Sequence, residues 1–130
     1  MNPSERLFLV GLNHLNTPVA AREKATISSF DLSQTLAQLK TLASLEEVVV
    51  LSTCSRVEIY GVCEDPRRCG ALVRSWFASR AGMDAEPSIY VHEGTSALSH
   101  LFRVASGLDS WIIGETVILA QVKQAYQSAL

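Results

Sequence analysis

The chain has 130 residues, of which 48% are hydrophobic and 18% charged, with a formal net charge of −2. Those values fit one domain with a real core and exclude intrinsic disorder. They also exclude a global basic footprint, so any nucleic-acid contact has to be local. No apolar run reaches membrane-spanning length, and Met1-Asn2-Pro3-Ser4-Glu5-Arg6 carries no signal-peptide pattern, which makes the cytoplasm the expected compartment. The cysteines, Cys54, Cys63 and Cys69, are odd in number and lack C-x-x-C spacing. Neither a disulfide framework nor a zinc site is expected from them.

Leu7 to Asn13 reads as a buried strand ending at a turn. His14 to Glu23 is expected to be irregular, because Pro18 disfavours a helix through it. Arg22, Glu23 and Lys24 read as a solvated charge cluster. Asp31 with Gln34 three residues later resembles a capping box, and Leu32, Leu36, Leu39 and Ala43 then mark one face of a helix. Two β-branched or aromatic runs follow, Val48 to Leu51 and Val57 with Ile59 and Tyr60. The small polar residues Ser52 to Ser55 suit a tight connection between them, so the pair is predicted to form a hairpin. Pro66 opens a second helix with the apolar face Leu72, Val73, Trp76 and Phe77, and Gly82 sits past its end. Ile89-Tyr90-Val91 is a short fourth strand.

The order is βαββαβ, which predicts an α+β, ferredoxin-like fold: an antiparallel sheet with helices on one face, plus two C-terminal helices. The core is expected over residues 1–94 and a helical extension over 95–130. In that extension Thr95 caps a helix whose stripe is Leu98, Leu101, Phe102 and Ala105 and which Gly107 ends. Gly114-Glu115 opens another, with Ile118, Val122, Ala125 and Ala129 on its face. No stop signal follows Tyr126, so the natural chain is expected to continue.

Cys54 draws attention first. A cysteine beside a strand is usually a small buried hydrophobe. This one sits among Thr53, Ser55 and Arg56, with no apolar neighbour until Val57. Positive charge at Arg56 favours a thiolate, and the thiolate is the nucleophile. Cys63 ends a strand and Cys69 lies in a helix, so both read as structural. His100 falls off the apolar stripe of its helix, on a flank shared with Arg103. It is either solvated and idle or turned to the Cys54 loop as a proton donor or acceptor. The breaks at Gly107-Leu108-Asp109-Ser110 and Gly114-Glu115-Thr116 suit a plain helix corner, or a helix start whose N–H groups hold a carboxylate. His14 and His92 sit at strand ends and read as structural; no metal is expected.

Three blocks resemble the glutamyl-tRNA reductase family. They are Gly11-Leu12-Asn13-His14 with Thr17-Pro18-Val19 and Arg22-Glu23-Lys24; Leu51 to Arg56 with Glu58-Ile59-Tyr60; and His100 to Ser110 with Ile113-Gly114-Glu115 and Gln121-Val122-Lys123. The resemblance implies the first step of five-carbon tetrapyrrole synthesis. The Cys54 thiolate attacks the ester of glutamyl-tRNA, and hydride from NADPH reduces the resulting thioester to glutamate-1-semialdehyde. It implies Cys54 and His100 as catalytic residues, and Thr53, Ser55, Arg56, Ser110, Glu115, Thr116, Val117 and Gln121 as the substrate pocket, with Arg56 on the glutamate. NADPH would be bound by a domain outside this chain, since no G-x-G-x-x-G occurs here. The implied partners are glutamyl-tRNA, a second copy of the full-length protein and glutamate-1-semialdehyde aminotransferase. The chain departs from the family pattern at Ser55, where Asn is usual, at Val117, where Gln is usual, and at the bulky Trp111. The alternatives are a divergent, non-catalytic relative that binds tRNA or a pathway enzyme, and a thiol esterase or sensor using Cys54.

Overall fold

The computed structural model describes residues 3–15 and 17–106. A 3-10 turn, Pro3–Arg6, leads into β1 (Leu7–Asn13), and α1 (Val19–Ala25) and α2 (Leu32–Ala43) follow. The hairpin β2 (Glu47–Ser52) and β3 (Arg56–Val62) comes next, then α3 (Pro66–Ala81), a 3-10 segment Met83–Ser88, β4 (Tyr90–Glu93) and α4 (Thr95–Ala105). The strands form one antiparallel sheet in the order β2-β3-β1-β4. That is the expected split βαβ arrangement in an α+β fold. Among the described residues no helix is long and apolar enough to cross a membrane.

The period-two alternation of the strands divides the sheet into two faces. Phe8, Val10, Leu12, Val48, Val50, Val57, Ile59 and Val91 join Leu39 and Ala43 of α2 and Val73 and Phe77 of α3 in the main core. Leu32, Leu36, Leu72 and Trp76 pack at its margin, so both predicted helix faces are the buried ones. The other face presents Leu9, Tyr60, Val49, Leu51 and Tyr90, and α4 covers it through Ala97, Leu101 and Val104. The sheet therefore carries helices on both sides: α2 and α3 on one, α4 on the other.

Helix ends follow local chemistry. Asp65 accepts a hydrogen bond from the Arg68 N–H before Pro66 begins α3, and Gly82 closes that helix at φ 97°, a conformation that favours glycine. Asp31 stands at the N-cap of α2 without capping it; its carboxylate accepts from the Ser28 hydroxyl instead of forming the expected box. Arg80, at the end of α3, donates to the Ala25 and Thr26 carbonyls at the C-terminus of α1 and lies over the Trp76 ring.

Further expectations are corrected. The segment after Pro18 is helical: Pro18 occupies the N-cap of α1 at φ −57°, where its missing N–H costs no helix bond. Arg22 is 7% exposed, not solvated with Glu23 and Lys24. The buried face of α4 runs through Ala97, Leu101 and Val104, whereas Phe102 is 65% exposed. His100 shares that sheet-facing side, one turn before Val104. Its position off the expected stripe reflects the wrong choice of stripe. The predicted fourth helix and the end of the third at Gly107 lie outside the described residues.

Candidate active site

The hairpin connection Thr53–Ser55 is three residues long and built around one hydroxyl. Thr53 Oγ1 accepts from the backbone N–H of Ser55 and of Arg56, both at 3.2 Å, and Thr53 N–H donates to the Arg56 carbonyl at 2.8 Å. This is the local side-chain turn that threonine and serine favour. The surroundings pin the loop at three further points. His14 N–H donates to the Ser55 carbonyl, Ile27 N–H donates to Ser52 Oγ, and Arg22 Nη1 donates to the Cys54 carbonyl at 3.2 Å. Cys54 is left exposed on a fixed backbone, while Cys63 and Cys69 are buried. Burial beside Cys69 pushes the Cys63 thiol up to about 12.

From Arg56 the strand alternates polar and apolar. Val57 and Ile59 enter the main core; Arg56, Glu58 and Tyr60 turn to the face beneath α4. Glu58 is 0% exposed and gathers four donors. Tyr60 OH donates to Oε1 at 2.8 Å. Tyr90 OH and His100 Nε2 both reach Oε2 at 2.5 Å, and Arg56 Nη1 lies 3.4 Å from the same oxygen. Burial alone would push this carboxyl up, but His100, Arg56 and Tyr90 together outweigh it and hold the group below the ordinary carboxylate value. An ionised carboxylate only accepts, so His100 presents Nε2–H to it. Burial, with the Glu58 charge adding to it, pushes the Tyr60 phenol up, so it stays a donor.

Gly11 makes the carboxylate's position possible. It pairs with Glu58 across β1 and β3, and a Cβ there would lie 2.8 Å from both Glu58 Cγ and the Val57 carbonyl. Tyr90 and His92, two apart on β4, then bring their rings against His100, with centroids 5.2 Å away in each case.

Thr53, Cys54 and Ser55 share the loop, and Arg56 and His100 meet through Glu58. Arg56 is 1% exposed and turned to that carboxylate. His100 therefore faces the strand that leaves the Cys54 loop. Ser110, Glu115, Thr116, Val117 and Gln121 lie outside the described residues. Sequence reasoning assigned no role to Glu58, Tyr60, Tyr90 or Arg22. The signal for the first two was the Arg56, Glu58, Tyr60 spacing, three polar groups on one side of a strand whose other side is apolar. Arg22 was legible only once α1 was recognised as a helix. Among the described residues no cluster of three His, Cys, Asp or Glu is set to hold a metal ion.

Comparison with known proteins gives this arrangement a context. Residues 10–130 match the family described as glutamyl-tRNAGlu reductase, N-terminal domain. Glutamyl-tRNA reductase of Pseudoalteromonas translucida is 42% identical over 126 residues, covering 95% of this chain and 30% of that protein. The Magnetococcus marinus enzyme is 44% identical over 128 residues, covering 96% and 30% respectively. The solved glutamyl-tRNA reductase of Methanopyrus kandleri superposes with a TM-score of 0.77 at 34% identity, over 96% of this chain and 28% of that one. The chain thus spans about 30% of the length of the curated relatives it matches. By sequence and by fold, it belongs to the glutamyl-tRNA reductase family, of which it carries the N-terminal domain.

Proposed function

We propose that this chain performs substrate recognition and acyl transfer for the reduction of glutamyl-tRNA to glutamate-1-semialdehyde. The observation that carries the reading is an exposed cysteine on a backbone pinned at several points, two positions before the buried Arg56 of an Arg56–Glu58–His100 network. The Cys54 sulfur attacks the ester carbonyl carbon. The bond from that carbon to the tRNA ribose oxygen breaks; His100, whose Nε2–H is committed to Glu58, takes the Cys54 thiol proton on Nδ1 and passes it to that oxygen, and a glutamyl thioester remains. Arg56, 1% exposed and turned to Glu58 in this structure, holds a carboxylate of the glutamate through guanidinium N–H groups once the loop above it opens, with Thr53 and Ser55 beside it and Ser110, Glu115, Thr116, Val117 and Gln121 completing the pocket. Glu58 positions Arg56 and His100. Glutamate-1-semialdehyde aminotransferase and a second copy of the whole protein are its proposed partners, and the cytoplasm its compartment.

The described residues do not fit a nicotinamide dinucleotide. Their sheet is antiparallel throughout, and the 130 residues contain no G-x-G-x-x-G loop after a strand. Reduction of the thioester, with NADPH, therefore belongs to the whole protein. In the absence of a hydride donor, water takes the thioester.

The test is to incubate glutamyl-tRNA with the 130-residue chain, with and without NADPH, and to assay free glutamate and semialdehyde separately. We expect slow release of glutamate, lost in Cys54→Ser, and no semialdehyde. Semialdehyde from this chain alone would show that the cofactor binds within it. Release that persists in Cys54→Ser would remove Cys54 as the nucleophile, and release that appears only in Val117→Gln would mark the chain as a divergent relative.

A further inference from the structure

His92 stands near the end of its strand, and the fold sets it on the ring that touches Glu58. Its imidazole lies nearly parallel to that of His100, at an interplanar angle of 25° and a centroid distance of 5.2 Å. His92 Nδ1 is 3.0 Å from Ser96 Oγ in the first turn of α4, which ties the ring to the helix that carries His100. Tyr90, on the same strand face, tilts against both rings and sends its hydroxyl to Glu58. One side of His100 is thus set by Glu58 and another by stacked rings.

We propose that His92 is a positioning residue for His100: stacked on it and tethered to Ser96, it holds the His100 ring with Nε2 on Glu58, and its own protonation opens the stack. The inference rests on the reading of His100 as the proton donor, but its structural part stands without it. The groups that face His92 are few. From α4 they are His100 and Ser96; from β3, Glu58, whose Oε2 also takes Arg56, and Tyr60, which lies across Leu9 and donates to Glu58 Oε1; from its own strand, Tyr90. On β1 its register partner is Leu9, which carries no charge. The single carboxylate of the cluster is bonded to His100, Tyr90, Tyr60 and Arg56 and makes no bond to His92. A proton arriving on His92 therefore lacks a direct anionic partner and sits ring-on-ring with His100. Burial and then the His100 charge hold His92 below the ordinary histidine value, with Glu58 pulling the other way. His92 is accordingly neutral near neutral pH, and a proton reaches it only as the solution becomes acid, against burial and the repulsion of His100 across the stack.

The test follows the histidine ring carbons and nitrogens by NMR across the acid range, in wild type, His92→Phe, His92→Ala and His100→Phe. In wild type the His100 resonances should show a step where His92 titrates. His92→Phe keeps a ring to stack on and should lose that step. His92→Ala should displace the His100 resonances at every pH, and His100→Phe should move the His92 titration up toward the ordinary histidine range. In turnover, His92→Ala should lower kcat by about tenfold with KM unchanged, and His92→Phe should recover most of that loss. If His100 resonances are the same in His92→Ala as in wild type, or if the two rings titrate independently, the proposal is overturned. If the NMR coupling is present while Cys54-dependent deacylation is absent, His92 positions His100 as argued and it is the reductase reading that fails.

Discussion

Glu58 carries the strongest constraint of any single residue here. It is a fully buried carboxylate held in its charged form by four donors, one of them the guanidinium of a residue that is itself 1% exposed. Removing one partner of a buried pair leaves the other as an uncompensated charge, at a cost of about 3–5 kcal/mol. Glu58→Gln should therefore destabilise the chain by about that amount, read from the urea midpoint. Replacing Arg56 and Glu58 together by Met should cost clearly less, because no orphan charge remains. Equal losses in the single and double variants would mean that the network holds the fold through shape and not charge. Cys54 gives the matching prediction at the surface. It is the one exposed thiol among Cys54, Cys63 and Cys69, so one equivalent of a mild alkylating agent should label it first, as peptide mass mapping would show. Preferential labelling of Cys63, whose thiol burial keeps protonated, would contradict the packing beneath β3.

At the scale of elements, each strand does two jobs at once, because alternate residues face different layers. β1 supplies Phe8, Val10 and Leu12 to the main core, and its remaining positions include Gly11, which leaves room for Glu58. Gly11→Ala would push a methyl to 2.8 Å from a backbone carbonyl that cannot step aside within the paired sheet. The expected cost is about 1–3 kcal/mol, measured by thermal or urea unfolding, together with a disturbed His100 environment. A neutral Gly11→Ala would show that β1 and β3 can separate more easily than their register implies. The four strands, α2 and α3 were legible from the sequence because their apolar periods and end signals agree: Val48 to Leu51, Pro66 with Gly82, the Leu39 and Phe77 faces. What failed was α1, since Pro18 reads as a breaker until it is seen to stand just before the first turn. The face of α4 failed for a different reason. Its sheet-facing positions include a small Ala97 and a polar, half-buried His100, so hydropathy pointed to Phe102, which faces outward. Cys54 and Arg56 stood out by their polar company, whereas Glu58 hid inside an otherwise strand-like run, and its donors come from sequence positions as distant as 90 and 100.

Taken as a whole, the molecule is a sheet with an apolar side that holds it together and a second side where titratable groups are packed under one helix. That division predicts how stability follows pH. Glu58 and His92 both have folded pKa values below their ordinary values of 4.5 and 6.5. For a depressed group the unfolded chain binds the proton more readily than the folded one, so the stability it contributes is present above the unfolded value and is lost as pH falls. The loss should begin near the ordinary histidine range, as unfolded His92 charges, and steepen below the ordinary glutamate range, where unfolded Glu58 protonates. Tyr60 and Cys63 are shifted the opposite way, Cys63 from 9.0 to about 12. Their stabilising contribution is present below the unfolded values and declines as pH rises through the alkaline range. Urea midpoints across pH should accordingly form a plateau bounded on both sides by groups that lie in or beside the sheet. His92→Phe should remove the upper acid step and leave the lower one, because Glu58 keeps its bonds to His100, Tyr90 and Arg56. An acid limb with a single step, unchanged by His92→Phe, would place the acid sensitivity in Glu58 alone and would uncouple the histidine stack from the folding of the α4 layer.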